Sequence, residues 1–300
     1  MTIYNFGSLN VDKTYYVESL AKPGETVDVK NMIVSPGGKG LNQSVAIARA
    51  GGDVYHVGAV GEDGGFLVDY LEENGVCVKY IKKLSGHSGQ ALVQVDDKGQ
   101  NSILIDKASN SKLEREHVDK ALKDTQKGDI VIIQNEINNI PYIMRKARER
   151  QLMIVFNPSP MDSELKEYPL SLVDIFVLNE LEGAQLADTE RESEVIGRLE
   201  QKFPEASFVL TLGNRGSVYK SKDEYIKQGV YGSECIDSTG AGDTFTGYFV
   251  YAISKGKTAA YAMELASVAS MITISRPGAA VSIPAMSEVS EAWKLLSLAD

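Results

Sequence analysis

Asp129-Ile130-Val131-Ile132-Ile133-Gln134-Asn135-Glu136 is the stretch from which the fold of this 300-residue chain can be read. A strand with one wet face alternates apolar and polar residues. Four successive branched apolar residues do not, which predicts a strand covered on both faces, as in a parallel sheet between helix layers. The run then turns polar at Gln134-Asn135-Glu136. In open parallel sheets, ligands sit beyond the carboxyl ends of the strands. The polar end therefore marks one sheet edge as the place to look for a site.

The same rhythm continues in both directions. Downstream, a helix over 141–150 leads to a strand at Leu152–Phe156 that ends in Asn157-Pro158-Ser159-Pro160. The strand Asp174–Leu178 ends in Asn179-Glu180-Leu181-Glu182, and Ser207–Leu212 ends in Gly213-Asn214-Arg215-Gly216. Upstream lie a helix over 113–124, a strand at Asp53–Val60 and an amphipathic helix at Phe66–Glu73. The first strand, Ile3–Leu9, runs into Asn10-Val11-Asp12. Asn10 and Asp12 are two apart and can face one side, offering donors and acceptors to hydroxyl groups; taken alone, an Asx-type turn is the better reading of the pair. Together these elements predict one α/β domain over 1–300, with a doubly wound, mostly parallel sheet and helices on both faces.

Two β-rich pieces break the alternation. Residues 13–34 hold two strand-like runs split by Pro23-Gly24, and 88–106 hold two more around Asp96-Asp97-Lys98-Gly99-Gln100. They are expected to form a lid of about four strands. Two glycine-bearing segments stand out as well. Gly37-Gly38-Lys39-Gly40-Leu41-Asn42-Gln43 precedes a small-residue helix. Asp237-Ser238-Thr239-Gly240-Ala241-Gly242-Asp243 precedes an apolar one, with Ser238 or Thr239 as its cap. A helix start with open amides attracts anions, and a carboxylate at its mouth, Asp243, suits proton acceptance. An ordinary capped helix explains the same residues.

Composition narrows the field. A net charge of −10 argues against a nucleic-acid surface. Two cysteines, Cys77 and Cys235, lack metal spacing and suggest no disulfide framework. No run of 18 apolar residues and no leader pattern is visible, so a cytoplasmic protein without membrane association is expected. The phosphate-loop pattern G-x-x-x-x-G-K-[ST] is absent, and Gly58-Ala59-Val60-Gly61 has the wrong spacing for a dinucleotide fingerprint.

Taken in order, Ser8-Leu9-Asn10-Val11-Asp12, the Gly37–Gln43 and Asn179–Glu182 segments, Thr211-Leu212-Gly213-Asn214-Arg215-Gly216 and Asp237–Asp243 resemble the motifs of the PfkB carbohydrate kinases, and among them the ribokinase branch. The resemblance covers nearly the whole chain. It implies ATP-dependent phosphorylation of a sugar hydroxymethyl group. It assigns Asp243 as base and Gly240, Ala241 and Gly242 as the anion hole. Asn10, Asp12, Gly38, Lys39, Asn42 and Glu136 would hold the sugar. Asn179, Thr211, Gly213, Asn214, Gly216 and Gly242 would lie near the nucleotide. A monovalent cation such as K⁺ would sit by Asp237, Thr239, Thr273, Arg276, Gly278 and Ser282, partly on backbone carbonyls. Mg²⁺ would keep several waters, with Glu182 and Asn179 as candidates to hold them; a capped helix with first-turn acids accounts for that pair too. The resemblance also implies a homodimer formed through the lid. One departure is Lys107-Ala108-Ser109-Asn110, where the branch carries Ala-Gly-Ala-Asn. It adds bulk and charge near the sugar entrance and leaves ribose, another sugar such as fructose or deoxyribose, or a nucleoside open. A sugar- or nucleotide-binding regulator without turnover is the competing class, disfavoured by the retained Asp243.

Overall fold

The computed structural model describes residues 1–232 and 234–298. In chain order the elements are β1 (Ile3–Phe6), β2 (Asn10–Val17), β3 (Val29–Gly37), α1 (Lys39–Arg49), β4 (Val54–Val60), α2 (Gly65–Glu73) and β5 (Cys77–Lys83). Then come β6 (Gly89–Val95), β7 (Asn101–Asp106), α3 (Arg115–Lys123), β8 (Ile130–Gln134), α4 (Ile140–Glu149), β9 (Met153–Asn157) and β10 (Ile175–Asn179). The chain finishes with α5 (Glu180–Ala187), α6 (Glu192–Lys202), β11 (Ser207–Thr211), β12 (Ser217–Lys220), β13 (Tyr225–Gln228), α7 (Ala241–Ser254), α8 (Ala259–Ile274) and α9 (Met286–Leu296).

Nine strands make the main sheet, in the order β13-β12-β11-β10-β9-β8-β1-β4-β5. The strands from β11 to β5 pair parallel, while β12 and β13 close one edge antiparallel. Strand β8 is wholly buried, and its side chains divide strictly between two cores. Ile130 and Ile132 face the side of α1, α7 and α8 with Val155, Val177 and Val209. Val131 and Ile133 face α3 to α6 with Phe156, Phe176 and Phe208. The unbroken apolar run thus reads as a period-two strand with two dry faces.

Sequence order reverses between β1 and β8: from β1 the sheet grows to β4 and β5 on one side, and from β8 to β11 on the other. That switch point is where open α/β sheets leave a crevice. Ser8 follows β1 and Glu136 follows β8, and the Ser8 hydroxyl donates to the Glu136 carboxylate across it.

A second sheet of four strands, β3-β2-β6-β7, stands apart from the first. Its limits differ from those expected. The first strand begins at Asn10, ahead of the 13–34 piece, because Asn10 already pairs with Gly37 on one side and Gly89 on the other. Residues 26–28 are not strand; β3 starts at Val29 opposite Val17 and runs on to Gly37. The small sheet therefore grows directly out of the switch-point loop. Among the described residues no helix is long and apolar enough to cross a membrane.

Candidate active site

Helix α7 starts at Gly240, whose left-handed φ of 77° turns the chain into the helix. No side chain caps it, so the expected cap by Ser238 or Thr239 is not made. The loop before it is held instead by Asp237, which accepts from the Thr239 and Gly278 amides, both at 2.9 Å. Although burial works against its charge, these hydrogen bonds hold the Asp237 carboxyl below its usual range. The first amides of α7 are left without a side-chain acceptor, which suits an anionic group.

Asp243 lies in the first turn of α7 and is 8% exposed. Its Oδ2 accepts from Asn42 Nδ2 at 2.9 Å and its Oδ1 from Gln43 Nε2 at 2.9 Å. Both donors come from α1, two hundred residues earlier in the chain. The two helices can meet this closely because position 247 is glycine: a Cβ there would collide with Ala46. Close packing of α1 on α7 is therefore what delivers two amide donors to one carboxylate.

Across the switch point, Asp12 projects from β2 against Gly37, and a Cβ at Gly37 would overlap its carboxylate. Burial, then the negative charges of Glu136 and Asp243, push the Asp12 carboxyl up to about 7. Glu136 accepts from the Lys39 amide at 3.0 Å besides Ser8. Burial raises its carboxyl, with Asp243 adding to the rise and Lys39 and Ser8 opposing it. For Lys39, burial works to lower the ammonium but is outweighed by Asp243, Glu136 and Glu182, which hold it above its ordinary range. Lys39 is thus half-buried among these carboxylates. Asn10 Oδ1 is occupied by Asn110 Nδ2 at 2.7 Å. Asp12 Oδ1 and Asn42 Oδ1 are buried with no hydrogen-bond partner. Buried polar atoms are normally paired, so these two acceptors are open to donors from a ligand.

On the other side of Asp243 lies a cavity of about 230 Å³, lined among others by Lys39, Asn179, Glu182, Thr211, Gly240 and Gly242. The Gly213, Asn214 and Gly216 turn continues outward from Thr211, exposed at Gly213 and Asn214, and does not line this cavity. Asn179 and Glu182 form a reciprocal capping box at the start of α5. Both Glu182 oxygens accept from Asn179, at 3.0 and 2.9 Å. Of the two meanings left open for this pair, the helix cap is the one present, and direct ligation by Glu182 would have to displace it.

The residues proposed around a monovalent cation gather on two loops that Asp237 ties together, except Thr273, which lies in the last turn of α8. Their side chains are largely committed elsewhere. The Thr273 hydroxyl is buried and donates toward Thr244 Oγ1 at 3.0 Å. Arg276 pairs with Glu288 at 2.5 Å, and Ser282 Oγ donates to the Ala279 carbonyl at 2.8 Å. Main-chain oxygens and the Asp237 carboxylate are what these loops can offer a cation.

Three residues gain a part that their sequence context did not assign: Gln43, Ser8 and Asn110. Gln43 stood in a quoted motif with no role, because its partner is invisible until α1 meets α7. Ser8 closes the switch point onto Glu136, and Asn110 fixes Asn10 while its Oδ1 accepts from the Leu9 amide at 3.0 Å. A signal for Asn110 did exist in the 107–110 segment.

Residues 2–286 match the family described as pfkB family carbohydrate kinase. The chain is 31% identical over 302 residues to a ribokinase of Haemophilus influenzae, covering 97% of each sequence. It superposes on a ribokinase structure from Thermotoga maritima with a TM-score of 0.88 at 30% identity, covering 98% of this chain and 99% of that one. An Arabidopsis thaliana ribokinase complexed with ribose and ATP gives a TM-score of 0.87 at 27% identity, covering 98% of both chains.

Proposed function

The chain belongs to the pfkB family of carbohydrate kinases, and from that premise we propose that it transfers the γ-phosphoryl group of ATP to a sugar hydroxymethyl group, converting D-ribose to ribose 5-phosphate. One observation carries the reading. Asp243 is held by two amide donors at the mouth of an uncapped helix, facing buried acceptors that lack partners on Asp12 and Asn42.

Phosphoryl transfer rests mostly on positioning and charge stabilisation. Asp12, Asn42 and Glu136 orient the sugar by accepting from its hydroxyl groups, with Asn10 and the Gly38 backbone closing the same wall. The amides of Gly240, Ala241 and Gly242, with the α7 dipole, stabilise the charge on the moving phosphoryl oxygens. Lys39, kept protonated by three carboxylates, adds a cation where the sugar and nucleotide sides meet. Asp243 accepts the sugar proton. A sugar alcohol is far too weak an acid for a carboxylate to ionise it in advance, so Asp243 takes the proton late, as phosphoryl transfer is already under way. Asn179 and Thr211 line the nucleotide side, with Gly213, Asn214 and Gly216 reaching outward from it.

Mg²⁺, when bound, would supply positive charge against the phosphates. Among the described residues no group of three His, Cys, Asp or Glu side chains is placed to hold a metal, so phosphate oxygens and water would supply most of its shell, with Glu182 acting through water. A monovalent cation would be held by Asp237 and by main-chain oxygens of Thr239, Thr273, Arg276, Gly278 and Ser282. The small sheet would act as the lid, pairing with that of a second subunit. The protein would work in the cytoplasm.

The test is a coupled ADP-release screen of ribose, deoxyribose, fructose and nucleosides, with and without K⁺. Turnover of ribose above the others, raised by K⁺, supports the reading. Preference for another sugar or a nucleoside overturns the ribose assignment, and no turnover of any acceptor overturns the kinase reading in favour of a regulator.

A further inference from the structure

The amide of Gln43 is one link in a buried hydrogen-bond chain, and the ends of that chain fix its direction. At the far end, the Gly40 carbonyl can only accept, and it takes Asn5 Nδ2 at 2.7 Å. That sets the Asn5 amide, so Asn5 Oδ1 faces Gln134 and receives its Nε2 at 2.9 Å. The same Gln134 nitrogen reaches Gln43 Oε1 at 2.7 Å. Gln43 is left with its nitrogen toward Asp243 Oδ1, and at 3.4 Å toward Asn157 Oδ1. A side branch braces Asn5. Its Nδ2 also donates to Ser44 Oγ at 2.8 Å, and Ser44 Oγ lies 2.9 Å from His56 Nδ1. His56 Nε2 lies 3.2 Å from the Gly7 carbonyl, another obligatory acceptor, so it is Nε2 that carries the proton. Burial, opposed in part by the Gly7 hydrogen bond, brings the imidazole pKa down to about 4. The ring is therefore neutral, and Nδ1 is free to accept from Ser44.

Asn5, Gln43, Ser44, His56 and Gln134 are all 0% exposed. Gln134 is bound one-sidedly: its nitrogen serves two acceptors while its Oε1 is buried with no partner. An unpaired buried acceptor is costly. Core packing alone would not demand it; a requirement that Gln43 present its nitrogen and not its oxygen to Asp243 would.

We propose that Gln43 is a positioning residue for Asp243, its amide locked donor-first toward the carboxylate by the Gly40–Asn5–Gln134 chain. With Oδ1 tied to Gln43, the carboxylate plane is fixed and Oδ2, shared with Asn42, is the oxygen turned to the sugar hydroxyl. This rests on the reading of Asp243 as base.

The experiment is a double-mutant cycle, with the Gln43 side-chain amide signals followed by ¹⁵N NMR. Gln43→Met keeps the length of the side chain and removes its donor. It should lower kcat on the order of 100-fold, the scale of an ångström-sized misplacement, with the KM for ATP unchanged. Gln134→Met, which touches neither substrate nor Asp243, should lower kcat in the same sense by about tenfold. In an Asp243→Asn background, Gln43→Met should alter residual turnover by less than about threefold, because the two act as one unit. Wild-type kcat in Gln43→Met, or an undiminished loss in the Asp243→Asn background, overturns the proposal. Gln43→Glu, which keeps shape and reverses polarity, should be at least as impaired as Gln43→Met, and wild-type turnover by it overturns the proposal too. The NMR readout does not depend on turnover. Gln134→Met and Asp243→Asn should each move the Gln43 amide protons, and signals that stay put sink the chain itself. Equal turnover by wild type and Asp243→Asn, with the Gln43 signals shifting as expected, would instead remove the base assignment and leave the hydrogen-bond chain standing.

Discussion

The two sheets of this molecule are built from similar residues and meet opposite fates. Strand β8 of the main sheet is Ile-Val-Ile-Ile, and all four side chains are wholly buried. Strand β7 of the small sheet carries Ile103-Leu104-Ile105, and its middle residue is 63% exposed; Met32, Ile33 and Val34 on β3 are also exposed. The difference is cover. Helices pack on both faces of the main sheet, making a dry and well-packed frame from which Asn42, Gln43 and Asp243 can be held to within hydrogen-bond distance. The apolar residues of β3 and β7 instead stay exposed to water. In the proposed reaction the rigid frame would carry the base and the small sheet would supply a wall over the sugar. Asn10 and Asp12 lie on that small sheet, at the point where β2 follows β1.

The sharpest break of this comparison is at the base. Asp243→Asn should cut turnover by about 10²–10⁴-fold, the usual range for general acid–base catalysis, while ATP binding by calorimetry persists. Retained turnover would mean that the frame does not exist to hold a base. Next in size is the frame itself. Ile132→Ala should cost about 2–5 kcal/mol in denaturant unfolding, as for other buried aliphatic truncations. Leu104→Ala should stay within about 0.5 kcal/mol. Equal losses would mean that the small sheet is covered after all.

The same contrast governs what could be read from the sequence. Ile130–Ile133 announced a two-faced buried strand because an apolar run without alternation has few other uses. Polar strand ends at Glu136, Asn179 and Thr211 announced the edge bearing the site because the parallel topology sends them all to one side. The small sheet was legible as strands but not in its limits: Asn10 and Asp12 look like loop residues, and only pairing with Gly37 and Gly89 makes them strand. Strands β5, β12 and β13 were not anticipated. Cys77–Lys83 and Tyr225–Gln228 mix lysines with short apolar pairs, and edge position rather than pattern makes them strands. Gln43 was missed for a different reason. A hydrogen bond spanning 200 residues leaves no local trace.

Asp12 joins the two regions, and pH separates them. Its carboxyl is raised from 3.8 to about 7. A carboxyl raised on folding favours the protonated native state, so its contribution to stability is fully present below about pH 4 and is lost as pH rises through about 7. Ligand-free protein should therefore melt at a lower temperature at about pH 8 than at about pH 5, and Asp12→Asn should flatten part of that slope. An unchanged slope in Asp12→Asn would place the burden on Glu136, whose raised carboxyl acts in the same direction.

The smallest effect on the folded chain, and the most telling about the second sheet, is expected at its exposed face. Val34→Lys with Leu104→Lys, which lie in one cross-strand row and so on one face, places two charges where water already reaches, so thermal unfolding of the single chain should move little, within about 0.5 kcal/mol per site. Association is a different matter. Strand edges and apolar faces left uncovered invite a second copy, and a charged face would meet its own like charges across a twofold axis. Sedimentation of the unaltered protein at micromolar concentration should give a dimer, and the Lys pair a monomer that still binds ATP through the intact frame. A monomer before substitution would leave β3 and β7 to be covered by closure over the sugar alone. A dimer that survives the two lysines would move the interface to another face of the molecule.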